Sequence, residues 1–254
     1  MTPLEPNAQL KYPPLVHEMH DALRATCFPR LPDRPGRKQL MARLLGTGIS
    51  QAMHLLNELH CAMDQPGDVC EFGVAQGATS ALLANEIRGT DKMLWLYDTF
   101  AGLPKPSSKD VLKDDIFNLG SIERYQGEMR CEIEEVRVRL NEIGFPETRF
   151  RLQPGLVEQT LQPGIGPGKV CFAYVDFDFY DGITHALNYL HGHLAPGGRI
   201  VVDDYDFFST GAKTAVDEFI VRTHGAYQLV LPQRFAGHFC IIRPKARGWR
   251  RWFR

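Results

Sequence analysis

Short apolar runs rich in β-branched and aromatic residues alternate along this chain with stretches in which apolar residues recur every three or four positions. Runs of the first kind predict buried strands, and stretches of the second kind predict amphipathic helices. Repeated strand–helix units indicate a doubly wound, mainly parallel α/β sheet with helices on both faces. The seven predicted strands are residues 68–72, 93–97, 149–152, 170–175, 199–202, 227–231 and 238–242, and the helices between them are residues 79–87, 126–143, 182–194 and 212–223. The last two strands are separated by a few residues that include Gly237, which predicts an antiparallel edge hairpin.

The N-terminal part of the chain has a different pattern. Residues 1–36 are rich in proline and contain one predicted short helix at residues 15–25. Residues 37–63 show helical spacing that Gly46 and Gly48 divide into two helices. We therefore expect a helical cover over residues 1–66, followed by one α/β domain over residues 67–246.

Two further segments lack a regular pattern. Residues 105–127 have weak periodicity and mixed charge, which predicts a long loop or lid beside the ends of the strands. Residues 247–254 form a tail of arginines and aromatic residues that would suit contact with a phosphate-bearing substrate, a neighbouring subunit or a membrane surface. A mobile terminus is the alternative interpretation of this tail.

Composition narrows the class of protein. Apolar residues make up 44% of the 254 residues and charged residues 23%, as in ordinary globular proteins, and a net charge of −1 gives no general attraction to nucleic acid or anionic lipid. The sequence has no apolar stretch of membrane-spanning length and no signal pattern at its start, so we expect a cytoplasmic protein without stable membrane association. The six cysteines include no CxxC pair, which disfavours a zinc site or a disulfide framework.

Acidic residues follow two of the predicted strands directly. Asp176 and Asp178 come after the strand at residues 170–175, and Asp203 and Asp204 come after the strand at residues 199–202. Ligands of open α/β sheets bind beyond the carboxyl ends of the strands, and carboxylates that meet there would repel one another without Mg²⁺ or a similar hard cation. The sequence therefore predicts a divalent-metal site, although helix capping or surface ion pairs would also account for some of these residues.

A glycine-containing turn follows the first predicted strand. The turn reads Glu71-x-Gly73-x-x-x-Gly77, which is neither the GxGxxG of a dinucleotide site nor a P-loop. Glycine there either lets the main chain approach a ligand or serves the turn alone. Asp98 ends the second strand, where an acid accepts hydrogen bonds from both hydroxyls of a ribose, so a nucleoside is predicted across the first two strand ends. A solvated loop acid is the alternative for Asp98.

These motifs together resemble those of the macrocin-type sugar O-methyltransferases. The motifs concerned are Glu71-Phe72-Gly73-Val74, Tyr97-Asp98-Thr99-Phe100-Ala101-Gly102-Leu103-Pro104, Pro154-Gly155-Leu156-Val157, Val175-Asp176-Phe177-Asp178-Phe179-Tyr180, Pro196-Gly197-Gly198, Val202-Asp203-Asp204-Tyr205 and Ala215-Val216-Asp217-Glu218-Phe219. The resemblance covers residues 68–223 and implies a class I, Rossmann-like methyltransferase fold. It also implies an S-adenosylmethionine-dependent, Mg²⁺-assisted enzyme that methylates a hydroxyl of a sugar on a natural product or a nucleotide, and we expect a homo-oligomer.

The resemblance also implies roles for individual residues. The methionine part of the cofactor would lie on Glu71, Phe72 and the turn from Gly73 to Gly77, the ribose on Asp98, and the metal ion on Asp176, Asp203 and Asp204, with Asp178 as the base. The Asp176 and Asp178 roles are interchangeable at this stage, since alternating positions face opposite ways only while the strand persists. The full predicted cofactor set is Glu71, Phe72, Gly73, Gln76, Gly77, Thr79, Asp98, Thr99, Gln153, Gly155 and Asp176.

The chemistry gives an independent reason for an ion and a base. A sugar hydroxyl has a pKa far above 7, so it attacks a sulfonium methyl group poorly until a cation lowers that pKa and a carboxylate removes the proton. Three rival functions remain open: a catechol-type O-methyltransferase, a metal-dependent glycosyltransferase that uses Asp176 and Asp178, and a cofactor-binding module without turnover. The four clustered acids argue against the last, because a module without chemistry has no need of mutually repelling charges.

Overall fold

The protein is described by a computed structural model that covers residues 13–162, 164–233 and 236–245. The predicted tail at residues 247–254 and the first twelve residues lie outside the described residues. Seven strands form one sheet in the order β3-β2-β1-β4-β5-β7-β6, which confirms the predicted fold class. The strands are β1 (Asp68–Phe72), β2 (Leu94–Asp98), β3 (Phe150–Pro154), β4 (Val170–Val175), β5 (Leu194–Val202), β6 (Tyr227–Val230) and β7 (Cys240–Pro244).

Strands β1 to β5 are parallel, and β7 runs antiparallel to both β5 and β6. The predicted edge hairpin is therefore confirmed. The central strand β4 is buried along its whole length, as its uninterrupted apolar run predicts for a parallel strand covered on both faces. The carboxyl ends of β1, β2, β4 and β5 consequently open on one edge of the sheet.

Helices cover both faces of the sheet. They are α1 (Pro13–Thr26), α2 (Arg37–Met41), α3 (Ile49–Ala62), α4 (Ala78–Ile87), α5 (Ile133–Glu142), α6 (Val157–Thr160), α7 (Tyr180–His193) and α8 (Thr210–Arg222). On one face Leu55 and Leu59 of α3 pack with Val69 and Phe172 of the sheet, and on the other α7 and α8 pack on β4 and β5. Among the described residues no helix has the length and apolar character needed to cross a membrane.

The N-terminal helices are joined to the sheet domain by a continuous core and by buried ion pairs. Met41 and Leu56 pack with Ala78 and Leu82 of α4. The guanidinium group of Arg37 donates two hydrogen bonds to Glu86 at 2.8 and 2.6 Å, and both side chains are fully buried. This part of the chain therefore packs as an integral layer of the fold, a closer association than a separate cover would have.

Helix α5 begins later than its periodicity predicts, at Ile133 and not at residue 126. Leu103 donates a main-chain hydrogen bond to Glu128 O at 2.8 Å and accepts one from Gly127 N at 2.8 Å. This pairing holds residues 127–128 against the turn after β2, and Gly127 has a left-handed φ of 86° that a helix excludes. Strand β5 also differs, since it starts at Leu194 and pairs irregularly with β4 before Arg199.

Candidate active site

Three carboxylates meet at the edge where β4 and β5 end. Asp176 and Asp178 lie on the loop between β4 and α7, and Asp204 lies on the loop between β5 and α8. One carboxylate oxygen from each lies within 4.8 Å of those of the other two. Carboxylate oxygens are the ligands that Mg²⁺ and Mn²⁺ prefer, so this donor set fits a hard divalent cation.

The main chain is strained where it presents two of these acids. Asp178 has a φ of 61° and Asp204 a φ of 52°, both in the left-handed region that most residues avoid. Such conformations cost on the order of 1–3 kcal/mol each and persist where surrounding structure enforces them. At Asp178 this includes the hydroxyl of Ser209, which donates to its carbonyl oxygen at 3.0 Å. Strain at two acids of one cluster is typical of a functional site.

Asp203 lies beside the cluster, but its carboxylate is engaged by protein donors. Its Oδ2 accepts from the Tyr174 hydroxyl at 2.5 Å, and its Oδ1 accepts from Gln51 Nε2 at 2.5 Å and from the main-chain nitrogen of Asp204 at 2.9 Å. The sequence grouped Asp203 with Asp176 and Asp204 as ligands and left Asp178 free. The geometry instead places Asp178 in the cluster and Asp203 behind it.

The clustered acids retain their protons more strongly than ordinary carboxyls. Burial raises the pKa of Asp176, Asp178 and Asp204 well above the usual value, and the charges of neighbouring carboxylates raise each further. A bound cation would reverse both effects, because it compensates the charge that burial and repulsion penalise. Without a bound cation, these three acids therefore hold their protons to a higher pH than ordinary carboxyl groups do.

Glu71 lies at the end of β1 with one oxygen unpartnered. Its side chain is 1% exposed, Oε2 accepts a hydrogen bond from the Ser80 hydroxyl, and Oε1 has no protein partner. Burial, with a smaller contribution from the charge of Asp98, raises the pKa of Glu71 to about 8 although the Ser80 hydrogen bond opposes the rise. A buried acceptor without a partner suits a cationic ligand group such as the ammonium of a bound amino acid.

The two glycines of the β1–α4 turn are required by protein contacts. Gly73 has a φ of 91°, and a Cβ there would collide with the carbonyl oxygen of Asp176. At Gly77, with a φ of 75°, a Cβ would lie 3.0 Å from a methyl carbon of Val136 in α5. Close approach of a ligand is therefore not needed to explain either glycine. The main chain of the turn also touches that of the acidic loop, since Asp176 N donates to Phe72 O at 2.6 Å.

Asp98 ends β2 and accepts three main-chain hydrogen bonds. The donors are Val74 N at 2.7 Å, Ala75 N at 2.9 Å and Phe100 N at 2.7 Å. Asp98 therefore fixes the turn after β1, while the remaining lone pairs of its carboxylate are available to a ligand. Its neighbour Thr99 donates to Gly102 O at 2.8 Å, which fixes the following turn.

The other residues predicted to bind the cofactor occupy different environments. The ring of Phe72 is fully buried and stacks on Tyr97 at 4.8 Å, so only its main chain faces the edge of the sheet. Gly155 N donates to Asp98 O at 2.9 Å, which joins the ends of β2 and β3. Gln76, Gly155 and Gln153 are half-buried, and Thr79 is buried in the first turn of α4.

Two residues of the site were not predicted from the sequence. Tyr174 is fully buried, and its hydroxyl lies 2.5 Å from Asp203 and 3.2 Å from Asp176. The alternation of β4 carries a signal for Tyr174, which precedes Asp176 by two positions and so shares its side of the strand. Gln51 of α3 has no such signal, because it reaches Asp203 from 152 positions away.

Residues 37–227 match the family model described as Macrocin-O-methyltransferase (TylF). Two curated relatives are similar to part of the chain. The chain is 31% identical over 143 residues to an 8-demethyl-8-(2,3-dimethoxy-alpha-L-rhamnosyl)-tetracenomycin-C 4'-O-methyltransferase of Streptomyces olivaceus, with 55% of this chain and 53% of the relative covered. It is 29% identical over 164 residues to a Mycinamicin III 3''-O-methyltransferase of Micromonospora griseorubida, with 60% of this chain and 63% of the relative covered. The matched regions thus span between about half and two thirds of these relatives.

The fold is also similar to solved structures. The O-methyltransferase NovP superposes with a TM-score of 0.66 at 22% identity, and the superposition covers 91% of this chain and 98% of the NovP chain. At that identity the similarity concerns the fold alone. It agrees with the strand order and the antiparallel edge described above.

Proposed function

Because this chain belongs to the macrocin O-methyltransferase family, we propose that it transfers a methyl group from S-adenosylmethionine to a hydroxyl of a sugar. The sugar is attached to a natural product or to a nucleotide, and transfer is assisted by Mg²⁺ or a similar divalent cation. The family match over residues 37–227 supports the class of reaction. The named activities of the two curated relatives, both O-methyltransferases of glycosylated natural products, support the class of acceptor.

One observation carries the proposal: the acidic cluster adjoins the turn that follows Glu71 through main-chain contacts. Asp176, Asp178 and Asp204 form the cluster, and the turn after Glu71 contacts the main chain of Asp176. An ion bound by the three acids and a methyl donor bound beside Glu71 would be held at a fixed separation. Methyl transfer depends mainly on such positioning, because oxygen, methyl carbon and sulfur must be collinear.

Each group has a distinct role in this proposal. When bound, the cofactor supplies an electrophilic methyl group and the divalent ion lowers the pKa of an acceptor hydroxyl. Asp176, Asp178 and Asp204 hold the ion. Asp203 helps to orient them, because its carboxylate accepts hydrogen bonds from the Tyr174 hydroxyl and from the main-chain nitrogen of Asp204. The buried Oε1 of Glu71 accepts from the cofactor ammonium, and Asp98 accepts from the ribose hydroxyls with its remaining lone pairs.

The acceptor proton must pass to a base near the ion. Asp178 remains the candidate, and Asp176 is the alternative. The hydroxyl oxygen of Tyr174 lies 3.2 Å from Asp176 Oδ2 and leaves less space for an acceptor proton at that oxygen. This contact favours Asp178 as the base, which would hold the ion through one carboxylate oxygen and receive the proton on the other.

The test combines binding with turnover. Calorimetry with S-adenosylhomocysteine, the demethylated cofactor, is expected to give saturable binding, and no heat at millimolar concentration would overturn the proposal. Methyl transfer is then measured by mass spectrometry on nucleotide-linked deoxysugars, glycosylated natural products and catechols, with Mg²⁺ or with a chelator. Transfer to a sugar hydroxyl that the chelator abolishes is the expected result, whereas exclusive transfer to catechols would assign the catechol-type activity.

An Asp204→Asn variant provides the matched control. It is expected to lose ion-dependent turnover and to keep its affinity for S-adenosylhomocysteine, because Asp204 lies in the cluster and Glu71 does not. Full activity of this variant would contradict the assignment of the ion site.

A further inference from the structure

A segment of the predicted lid runs along the start of α8. We call residues 107–114 the strap. Thr210 N donates to Val111 O at 2.9 Å, Val111 N donates to the Thr210 hydroxyl at 2.9 Å, and Lys113 N donates to Phe208 O at 2.9 Å. The strap is thus fixed to the loop that carries Asp204, and its geometry is that of a short antiparallel strand pairing.

Asp110 is the buried centre of the strap. Its side chain is 4% exposed, and Oδ2 accepts from the nitrogen and the hydroxyl of Ser107 at 2.7 Å each. Its Oδ1 accepts from Tyr180 N at 2.8 Å, at the first residue of α7. A buried carboxylate at a helix N-terminus compensates an unpaired N–H group and interacts favourably with the helix dipole. Asp110 therefore joins the strap to the helix that follows Asp178.

Gly211 provides the space that Asp110 occupies. A Cβ at this position, in the first turn of α8, would collide with Asp110 Oδ1 and would lie 2.8 Å from Tyr180 N. The φ of Gly211 is not left-handed, so the backbone conformation itself does not require glycine there. Glycine thus allows the N-terminal turns of α7 and α8 to approach each other around a single carboxylate.

The same contacts reach the acidic loops. Ser209 caps α8 by accepting from Gly211 N at 3.1 Å and donates to the carbonyl oxygen of Asp178 at 3.0 Å. Phe179 and Phe208, from the two loops, pack in one cluster with Leu103 and Tyr125 of the lid region. The strap therefore bridges the loop that carries Asp176 and Asp178 and the loop that carries Asp204.

We propose that Asp110 is a positioning residue for the ion site, because it fixes the distance between the two loops that supply the acids. The inference rests on the proposed function and deepens it, since it assigns part of the ion affinity to a residue of the lid. It follows that the strap must keep its hydrogen bonds to the starts of α7 and α8 for the three carboxylates to converge. By linkage, an ion bound by the acids stabilises this bonded state of the strap by the same free energy by which the bonded strap favours ion binding.

The test measures Mn²⁺ binding by the loss of the free-ion signal in electron paramagnetic resonance, together with S-adenosylhomocysteine affinity. Asp110→Ala and Gly211→Ala are expected to weaken Mn²⁺ binding at least about tenfold, in the range known for residues that orient metal ligands. Their affinity for S-adenosylhomocysteine should change less than about threefold, because the Glu71 side of the site is separate. The double variant should bind Mn²⁺ better than Gly211→Ala alone, since removal of the Asp110 carboxylate gives space to the new methyl group.

Lys109→Met is the control within the strap. It removes the contacts of Lys109 Nζ with Glu218 at 2.6 Å and with the Tyr180 hydroxyl at 2.9 Å, both near the surface. It leaves Asp110 and its hydrogen bond from Tyr180 N in place. This variant should bind Mn²⁺ as the unaltered protein does.

The outcomes separate the inference from the proposed function. Unchanged Mn²⁺ affinity in either Asp110→Ala or Gly211→Ala would overturn the positioning role while the unaltered protein still binds the ion. Equal loss of Mn²⁺ and S-adenosylhomocysteine binding would show a general structural role and would overturn it too. Absence of Mn²⁺ binding by the unaltered protein would remove the ion from the proposed function and the inference with it.

Discussion

Tyr174 has a single hydroxyl proton and lies between two carboxylates. The shorter distance, 2.5 Å to Asp203 against 3.2 Å to Asp176, directs the proton to Asp203. With Gln51 and a main-chain nitrogen as further donors, Asp203 has its charge compensated by the protein. Asp176 has only the longer contact, so it is the member of this pair that remains able to bind a cation.

Loss of the charge of Asp178, which belongs to the cluster, should weaken ion binding more than loss of the charge of Asp203, which lies beside it. Asp178→Asn removes a carboxylate from the cluster and is expected to weaken Mn²⁺ binding more than about 100-fold. Asp203→Asn disturbs the residues behind the cluster and should weaken it by about 10–100-fold, the range for outer contacts of a metal site. Titration of each variant with Mn²⁺ checks the order, and a larger effect at Asp203 would restore the ligand set predicted from the sequence.

Glu71 should make cofactor binding depend on pH. Below its raised pKa of about 8 the side chain is protonated in the ligand-free protein, and a bound ammonium requires it to ionise. The affinity for S-adenosylhomocysteine should therefore rise with pH between pH 6 and 7.5, by up to about tenfold per pH unit, and the rise should level off as the pH reaches the Glu71 pKa of about 8. Calorimetry across this range tests the effect; Glu71→Gln should bind more weakly without the rise, and a flat profile for the unaltered protein would refute the role.

The sequence predicted where acids would gather but not how each would point. Asp203 and Asp204 are adjacent and chemically identical, yet Asp204, with a left-handed φ of 52°, lies in the cluster, whereas Asp203 accepts a hydrogen bond from Tyr174. The partner Gln51 comes from a helix far away in the chain, so no local pattern reports the contact. Residue types were thus predictable at this edge, whereas their division into ligands and supporting residues depends on tertiary contacts.

At the scale of elements, ion pairs with buried carboxylates join α2 to α4 and α3 to β7. Arg37 of α2 and Glu86 of α4 form a bidentate pair with no exposed side-chain surface, and His60 Nε2 lies 2.7 Å from the same carboxylate. Glu58 of α3 binds Arg243 of β7 in the same way, at 2.5 and 3.0 Å. These pairs define how the N-terminal helices are oriented on the sheet.

Loss of Arg37 should strongly destabilise the protein. Arg37→Met removes the bidentate partner of the buried Glu86 and leaves it with His60 at 2.7 Å and Arg34 at 3.9 Å. Breaking a buried pair in this way lowers the free energy of unfolding by about 3–5 kcal/mol. The double variant Arg37→Met with Glu86→Leu should recover most of the loss, because it leaves no unpaired charge. Urea unfolding measures both, and Lys38→Met, which removes the exposed pair with Asp21, should change the free energy by less than about 1 kcal/mol.

The strands were predictable because each is a compact apolar run, and the helix starts were less so. The parallel pairing of β1 to β5 follows from repeated strand–helix units, because the helix between two strands returns the chain to the same edge of the sheet. The predicted start of α5 was wrong, because main-chain hydrogen bonds between Gly127 and Leu103, at the two ends of the lid region, compete with the helix there. Helical periodicity is a local signal, and such a non-local pairing overrides it.

At the scale of the whole molecule, the buried acids should make stability depend on pH and on divalent ions. Asp176, Asp178, Asp204 and Glu71 all have pKa values raised by burial in the folded state, so the folded protein retains protons that the unfolded chain releases. Their contribution to stability is present at low pH and is lost as pH rises through the folded values. Burial lowers the pKa values of His20 and His54, so below pH 6.5 these two residues make the stability rise with pH. Measurements that test the acids therefore begin at pH 7.

The expected result is a thermal midpoint that falls from pH 7 to 8.5 without divalent ions. Mg²⁺ should raise the midpoint more at pH 8.5 than at pH 7, because it binds the ionised acids; at 100 times its dissociation constant it adds about 2.7 kcal/mol. Differential scanning fluorimetry with and without Mg²⁺ checks this, with Asp204→Asn as a variant that should not respond to the ion. A midpoint that rises with pH in the ion-free protein would show that the acids are not buried as described.

The contact between Gly73 and Asp176 bears on how an enzyme of this kind comes to accept a different substrate. In the proposed function, the methyl donor and the ion would be held by two adjoining main-chain segments, so their spacing would not depend on which side chains surround the acceptor. The part of the lid that follows the strap, residues 115–127, is then free to diverge while that spacing stays constant. An engineer seeking a new regioselectivity should recombine this part of the lid from relatives and leave the strap and the junction of β1 and β4 untouched.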